Sequence, residues 1–303
     1  MHEYAQAVTA TQVRVSAGRV IDADYLVLAT GTAYPFPAKF IESDVLVAKA
    51  RLARLREALR GARAVMIVGA GPVGLELAGE LSSAFPALKV TIVDRAQDVL
   101  TTGDYLPELR SAIRSQLEDR GVAFELGSPL GYLPPVDVGV LAPFTVHTRA
   151  GRSIDADVWF RCYGNTPVTD YLVGDLAPAR QPDGRIAVAP TLSIPGFPTV
   201  FAIGDITDIP ETKRASAAIA HAHVAAAANI RALIDGREPS AVHEPAAELV
   251  VRPLGPDAGA SQVLRPDGAR EILGARETSE MKGIDLFSTA MAQLFSTAAP
   301  AAR

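Results

Sequence analysis

The chain has a single cysteine among 303 residues, Cys162, and that scarcity excludes several chemistries at once. A lone thiol forms neither an intrachain disulfide nor a thiolate metal site, and it provides no dithiol pair to carry electrons. A strong charge of one sign is missing as well. Lys and Arg number 29 against 34 Asp and Glu, for a formal net charge of -5. No basic tract breaks this mild acidity, so the electrostatic footprint of a nucleic-acid-binding protein is lacking and no nucleic-acid partner is expected. No apolar run is read as long enough to span a bilayer, and Met1-His2-Glu3-Tyr4 lacks the basic-then-apolar layout of a secretion signal. A cytoplasmic protein is the resulting expectation. Glycine is sparse early: residues 1–61 hold only Gly18, Gly31 and Gly61, widely separated.

The glycine-rich loop that does occur lies beyond that stretch. Gly69-Ala70-Gly71-Pro72-Val73-Gly74 follows the apolar run Ala64-Val65-Met66-Ile67-Val68 and opens the helical pattern Leu75-Glu76-Leu77-Ala78. In such a loop the first glycine permits the tight turn. The second lets backbone approach a pyrophosphate, and the third lets helix pack on strand. The helix start adds unpaired N–H groups and partial positive charge. Asp94, twenty residues past Gly74, closes the next apolar strand and is placed to accept hydrogen bonds from a ribose diol. That favours NADH, while Arg95 beside it suits a 2′-phosphate. The bland alternative for Asp94 is a solvated strand end.

Around this unit the chain reads as alternating strands and helices. Strands are expected at 12–15, 20–21 and 25–29, with a helical stretch over 46–60. A strand–turn–helix–strand unit over 62–95 begins a doubly wound sheet, and a second helix over 107–120 leads to the strand 122–126. Residues 130–160 read as a small antiparallel meander. The apolar strand Val200-Phe201-Ala202-Ile203 ends in Gly204-Asp205, and an Ala-rich helix follows over roughly 212–234. Short strands are expected near 247–254 and 260–264. Ile284, Phe287, Met291, Leu294 and Phe295 fall on one face of a helix over 284–295, a stripe that suits packing on its own domain or docking on a membrane surface. His221 and His223, two apart, cannot share a helix face, so a metal pair is not expected and packing at a domain seam is.

Taken in order, three pieces form a pattern: Ala29-Thr30-Gly31, the complete dinucleotide unit, and Ala202-Ile203-Gly204-Asp205. The sequence resembles the two-dinucleotide-binding-domain flavoproteins, the pyridine nucleotide–disulfide oxidoreductase superfamily. Within it Tyr25 to Pro37, Val200 to Lys213 and Lys282 to Phe287 are most similar to the apoptosis-inducing-factor-like and ferroptosis-suppressor-like quinone reductases, with type II NADH dehydrogenases next. The resemblance implies an α/β fold: a Rossmann-like NAD(P)H domain (46–163) inserted in a partial FAD-binding domain (1–45 and 164–237), with a small C-terminal α+β domain (238–303).

It also implies FAD and NAD(P)H as cofactors. Gly69, Gly71, Gly74 and Asp94 would serve the nicotinamide nucleotide. Thr30, Gly31, Gly164, Gly204 and Asp205 would lie along the flavin, with Asp205 at its ribityl–phosphate region. Glu76 matches a position that often faces the nicotinamide, and equally fits an ordinary acidic residue in a first helical turn. Lys213 matches a cation beside flavin and quinone, and equally fits a solvated lysine at a helix start.

The family's disulfide-using branch needs a Cys-x4-Cys pair that this sequence does not have, so electrons are expected to pass directly from flavin to a quinone-like acceptor. A homodimer through the C-terminal domain is a further expectation. One departure matters. The family's own FAD-binding glycine loop, normally near the N-terminus, is not found in residues 1–61, and the expectation is a chain that binds NADH better than FAD. A degenerate NADH-binding protein without redox activity is the alternative reading.

Overall fold

In a computed structural model, residues 3–40, 42, 44–246 and 249–294 are described. The chain divides into two compact units, one formed by residues 1–34 with 164–246, the other by 35–163 with 247–303. The segment after residue 246 therefore belongs with the glycine-loop unit.

That second unit is built on a four-stranded parallel sheet. Its strands run in the order Val158–Arg161, Ala64–Val68, Lys89–Val93, Ala123–Glu125. The helices Pro72–Ala84 and Pro107–Asp119 bury Leu75, Ala78, Leu109, Ile113 and Leu117 with Ile67, Ile92 and Phe160 of the sheet. Strands so thoroughly covered read as continuous apolar runs, which is how both central strands appear in the sequence. The helix Val45–Gly61 is capped at its start by Asp44, whose carboxylate accepts from the Leu46 amide at 2.7 Å.

The expected meander is only partly antiparallel. Phe144–His147 and Ser153–Ala156 form a hairpin, but Val158–Arg161 returns as a parallel edge strand paired with Ala64–Val68. Asp157 makes that return possible, accepting from the Arg63 and Ala64 amides at 2.7 and 3.1 Å.

The C-terminal strands Leu249–Pro253, Gly259–Leu264 and Arg270–Leu273 form an antiparallel sheet that shares the core through Val250, Leu254 and Ala260. A Cβ at Gly79 would lie 2.3 Å from the Leu254 Cα, so the glycine admits this sheet onto the Pro72–Ala84 helix. The expected single helix over 284–295 is interrupted. Leu286 and Phe287 adopt φ of 52° and 61°, and a regular helix covers only Ser288–Leu294. Ile284, Leu286, Phe287 and Met291 are exposed, while Phe295 lies outside the described residues.

The first unit carries a three-stranded antiparallel sheet, Ala5–Val8, Gln12–Val15 and Val20–Asp22. Beside it in sequence, Leu26–Leu28 pairs in parallel with Phe197–Ala202, and Thr32–Ala33 pairs with Thr166–Pro167. One continuous helix spans Ala215–Ile234, with its middle turns, His223–Ile230, wound as π-helix. By length and composition alone this helix is long and apolar enough to cross a bilayer, contrary to the sequence reading. Its buried residues His221, Ala225, Asn229 and Ala232 line one face, and Ala225 packs with Leu192 and Phe201. Asn229 fastens it further. Its amide donates to the Thr191 and Ala241 carbonyls at 3.0 and 2.8 Å and accepts from the Ala241 N–H at 3.0 Å. The helix is thus packed on its unit along one face.

Candidate functional site

In the glycine-loop unit the backbone geometry follows from the residue types. Gly69 has φ of +119°, and a Cβ there would lie 2.6 Å from the Cys162 carbonyl oxygen. At Gly74 an added Cβ would lie 2.0 Å from the Gly69 carbonyl oxygen. At Gly71 it would meet nothing within 4 Å. The outer glycines thus serve internal packing, and the middle one faces open space where an anion can approach the backbone. Gly71 is also the N-cap of the Pro72–Ala84 helix and supplies no capping side chain, which leaves first-turn N–H groups to a ligand.

Asp94 is tied into the same loop. One carboxylate oxygen accepts from the Ala70 amide at 2.7 Å, the other from the Ala96 amide at 2.8 Å. Each oxygen keeps a second lone pair for a ribose hydroxyl. Asp94 and Arg95 line a cavity of about 480 Å³ together with Gly69, Tyr132 and Tyr163. Glu76 faces other side chains of the unit: Lys282 Nζ lies 2.8 Å from one oxygen and Arg252 3.4 Å from the other. No sequence spacing pairs either cation with Glu76, because both lie more than 170 residues away.

Cys162 is buried, and burial pushes its thiol up to about 12. A neutral thiol is neither a nucleophile nor a redox donor at physiological pH.

In the other unit, Thr30 and Gly31 follow the strand Leu26–Leu28, and Gly204 and Asp205 follow the neighbouring parallel strand Phe197–Ala202. Both pairs lie at carboxyl ends of adjacent parallel strands, where open α/β sheets bind ligands. Asp205 lies 3.4 Å from the Thr32 hydroxyl. The Thr30 hydroxyl donates to the Val168 carbonyl at 2.6 Å and contacts the Tyr171 hydroxyl at 2.9 Å. Gly164 is exposed and leads into the Thr166–Pro167 strand. Lys213 is partly buried, its ammonium donating to the Thr207 hydroxyl at 3.0 Å and the Ile209 carbonyl at 2.8 Å. Burial lowers its proton affinity, against the pull of Glu211.

The profile of the pyridine nucleotide-disulphide oxidoreductase family matches residues 2–228. The chain belongs to this family. Members are oxidoreductases that use FAD and NAD(P)H, and the α/β fold of this chain is theirs. An FAD-dependent oxidoreductase of Flammulina velutipes is 31% identical over 226 residues, covering 75% of this chain and 68% of that protein. Human ferroptosis suppressor protein 1 is 26% identical over 254 residues, covering 83% and 67%. Among solved structures, a covalent putidaredoxin reductase–putidaredoxin complex aligns with a TM-score of 0.65 at 23% identity, over 86% of this chain and 63% of that one. An NAD-dependent persulfide reductase from A. fulgidus aligns with a TM-score of 0.68 at 18% identity, over 88% and 50%. The chain thus spans about two thirds of the curated relatives and half to two thirds of the solved chains.

The residues present fit the nicotinamide nucleotide and the ribityl–phosphate region of the flavin. The open face of Gly71 suits a pyrophosphate. The turn at Gly204, with φ of +73°, presents a carboxylate suited to polyol hydroxyls. Sequence reasoning missed Glu211 and His243, which lie against His221. Their separations of ten and 22 residues along the chain match no recognisable spacing.

Proposed function

We propose that the chain acts as a flavin-dependent NAD(P)H oxidoreductase, delivering electrons to a quinone-like acceptor without a redox disulfide. The observation that carries this reading is the pairing of a complete dinucleotide loop, open at Gly71, with a single deeply buried cysteine. When bound, the flavin supplies a two-electron acceptor for the nicotinamide hydride and a donor for the onward acceptor. This chain's residues do the holding. The loop amides and the first turn of the Pro72–Ala84 helix bind the pyrophosphate, and Asp94 binds the adenosine ribose, which favours NADH over NADPH. Asp205 accepts hydrogen bonds from the flavin side chain. Lys213 would supply positive charge to the flavin, and Glu76 would orient the nicotinamide end with its charge balanced by Lys282 and Arg252.

The test is an anaerobic absorbance scan of the protein supplied with FAD. NADH should bleach the flavin band, and a soluble quinone should restore it. The Cys162→Ala variant should behave alike. An NADH-binding protein whose added flavin never bleaches would be a non-redox protein, and the proposal would fall.

A further inference from the structure

The turn that precedes Asp205 is held by a group of side chains that the reaction above does not use. His221 is fully buried, with Glu211 and His243 nearly so, at side-chain exposures of 0%, 8% and 4%. The Gly204 backbone N–H donates to His221 Nδ1 at 2.9 Å. A backbone amide can only donate, so Nδ1 carries the lone pair and the ring proton sits on Nε2. Nε2 lies 2.7 Å from Glu211 Oε1, close but off the hydrogen-bond line. Glu211 Oε2 lies 3.1 Å from His243 Nε2, and the two imidazoles meet edge to face at 4.2 Å. The other side of the same residue is held as well. The Gly204 carbonyl accepts from the Thr207 amide at 3.2 Å and the Thr207 hydroxyl at 3.0 Å.

The tautomer decides what the trio is. Its ligand atoms lie within 4.8 Å of one another, a spacing that suits a metal ion. A cation on Nε2 would need that nitrogen free of its proton while Nδ1 still accepts from Gly204, which makes the ring an imidazolate. A neutral imidazole aimed by a carboxylate is the form compatible with the Gly204 bond.

We propose that His221, oriented by Glu211 and His243, is a positioning residue that fixes the Gly204–Asp205 turn for the flavin. The proposal rests on the assignment of Asp205 to the flavin made above. The clamp works only while Nδ1 is unprotonated. Burial and the neighbouring His243 lower the proton affinity of His221, Glu211 raises it, and Lys213 opposes Glu211. The clamp is therefore closed at neutral pH and opens in acid.

Two isosteric substitutions separate the clamp from simple packing. Asn places its amide oxygen where Nδ1 lies, whereas Gln places its terminal group where Nε2 lies. Backbone amide exchange at Gly204 should be about tenfold faster in His221→Gln than in the unmodified protein, and near-normal in His221→Asn. FAD titrated into each protein should show the same order, with weakening of about tenfold in His221→Gln only, while NADH affinity stays level in all three. FAD affinity of the unmodified protein should fall in acid, and that fall should vanish in His221→Asn. Equal Gly204 exchange in His221→Gln and the unmodified protein overturns the proposal. So does a stoichiometric metal ion retained through purification and lost in both variants. Failure of the unmodified protein to take up FAD counts against the flavin assignment, and with it against any cofactor role for the clamp. The Gly204 exchange rate then still decides whether the clamp exists.

Discussion

The glycine loop makes a sharp test because its three glycines are required for different reasons. In Gly74→Ala the new methyl must enter space that the Gly69 carbonyl oxygen occupies, 2.0 Å away, with Ile67 Cγ2 at 3.2 Å. Backbone cannot yield as a side-chain tip can, so helix and loop must separate. Overpacking of this kind costs about 1–3 kcal/mol. For a unit of this size that lowers the melting temperature by about 2–12 °C.

Gly71→Ala is the opposite case. Its backbone sits at φ −84° and ψ −176°, open to any residue, and the methyl meets nothing within 4 Å. Stability should stay within about 0.5 kcal/mol. NADH affinity should nevertheless fall, because the methyl holds the pyrophosphate away from the loop amides. Losing one charge-assisted hydrogen bond is worth about 1.5–3 kcal/mol, or roughly 10- to 100-fold in Kd. The assays are thermal melting without ligand and calorimetric titration with NADH. A Gly71→Ala protein that melts normally and binds NADH like the parent would refute the assignment of this loop. Equal melting temperatures for Gly74→Ala and the parent would refute the packing argument.

Four further outcomes follow from the geometry. The Cys162 thiol, held near 12 against an ordinary 9.0, should resist alkylation in the native protein at pH 8 and react only on unfolding, as read by mass spectrometry. Its folded value is the raised one, so its contribution to stability is complete below pH 9.0 and is lost as pH rises from there toward 12. Glu76→Gln leaves Lys282 and Arg252 without their carboxylate and should lose about 1–2 kcal/mol in urea unfolding; unchanged stability with a slower NADH-dependent bleaching would assign Glu76 to the chemistry alone. Asn229→Leu strands the Ala241 amide and two carbonyls and should cost about 2–4 kcal/mol in the same assay. Acid should weaken the unit that contains His221: its folded proton affinity lies below the ordinary 6.5, so the unfolded chain takes up the proton first as pH falls below that value. Glu211 is buried, yet its contacts with His243 and His221 hold it below 4.5, so it adds the same sign below that value; a melting temperature flat from pH 7 to 3 would contradict both.

What the sequence determined by itself was whatever repeats at short range. The turn at Gly69, the strand before it, the helix after it and Asp94 are all set by contacts within about thirty residues. Local backbone geometry and apolar periodicity are written in that window. The order of the Ala-Thr-Gly, glycine-loop and Gly-Asp segments added the fold family. Tertiary structure decided the rest, because side chains distant in sequence meet only through packing. Val158–Arg161 became a parallel edge strand rather than part of a meander, since Asp157 satisfies the amides where the strand begins. The C-terminal sheet joined the glycine-loop unit because Gly79 leaves room for Leu254. Glu76 acquired Lys282 and Arg252 by the same packing. His221 looked like half of a mismatched histidine pair. Its true partners come from the loops on either side of its helix, and the Gly204 amide fixes which of its nitrogens holds the proton.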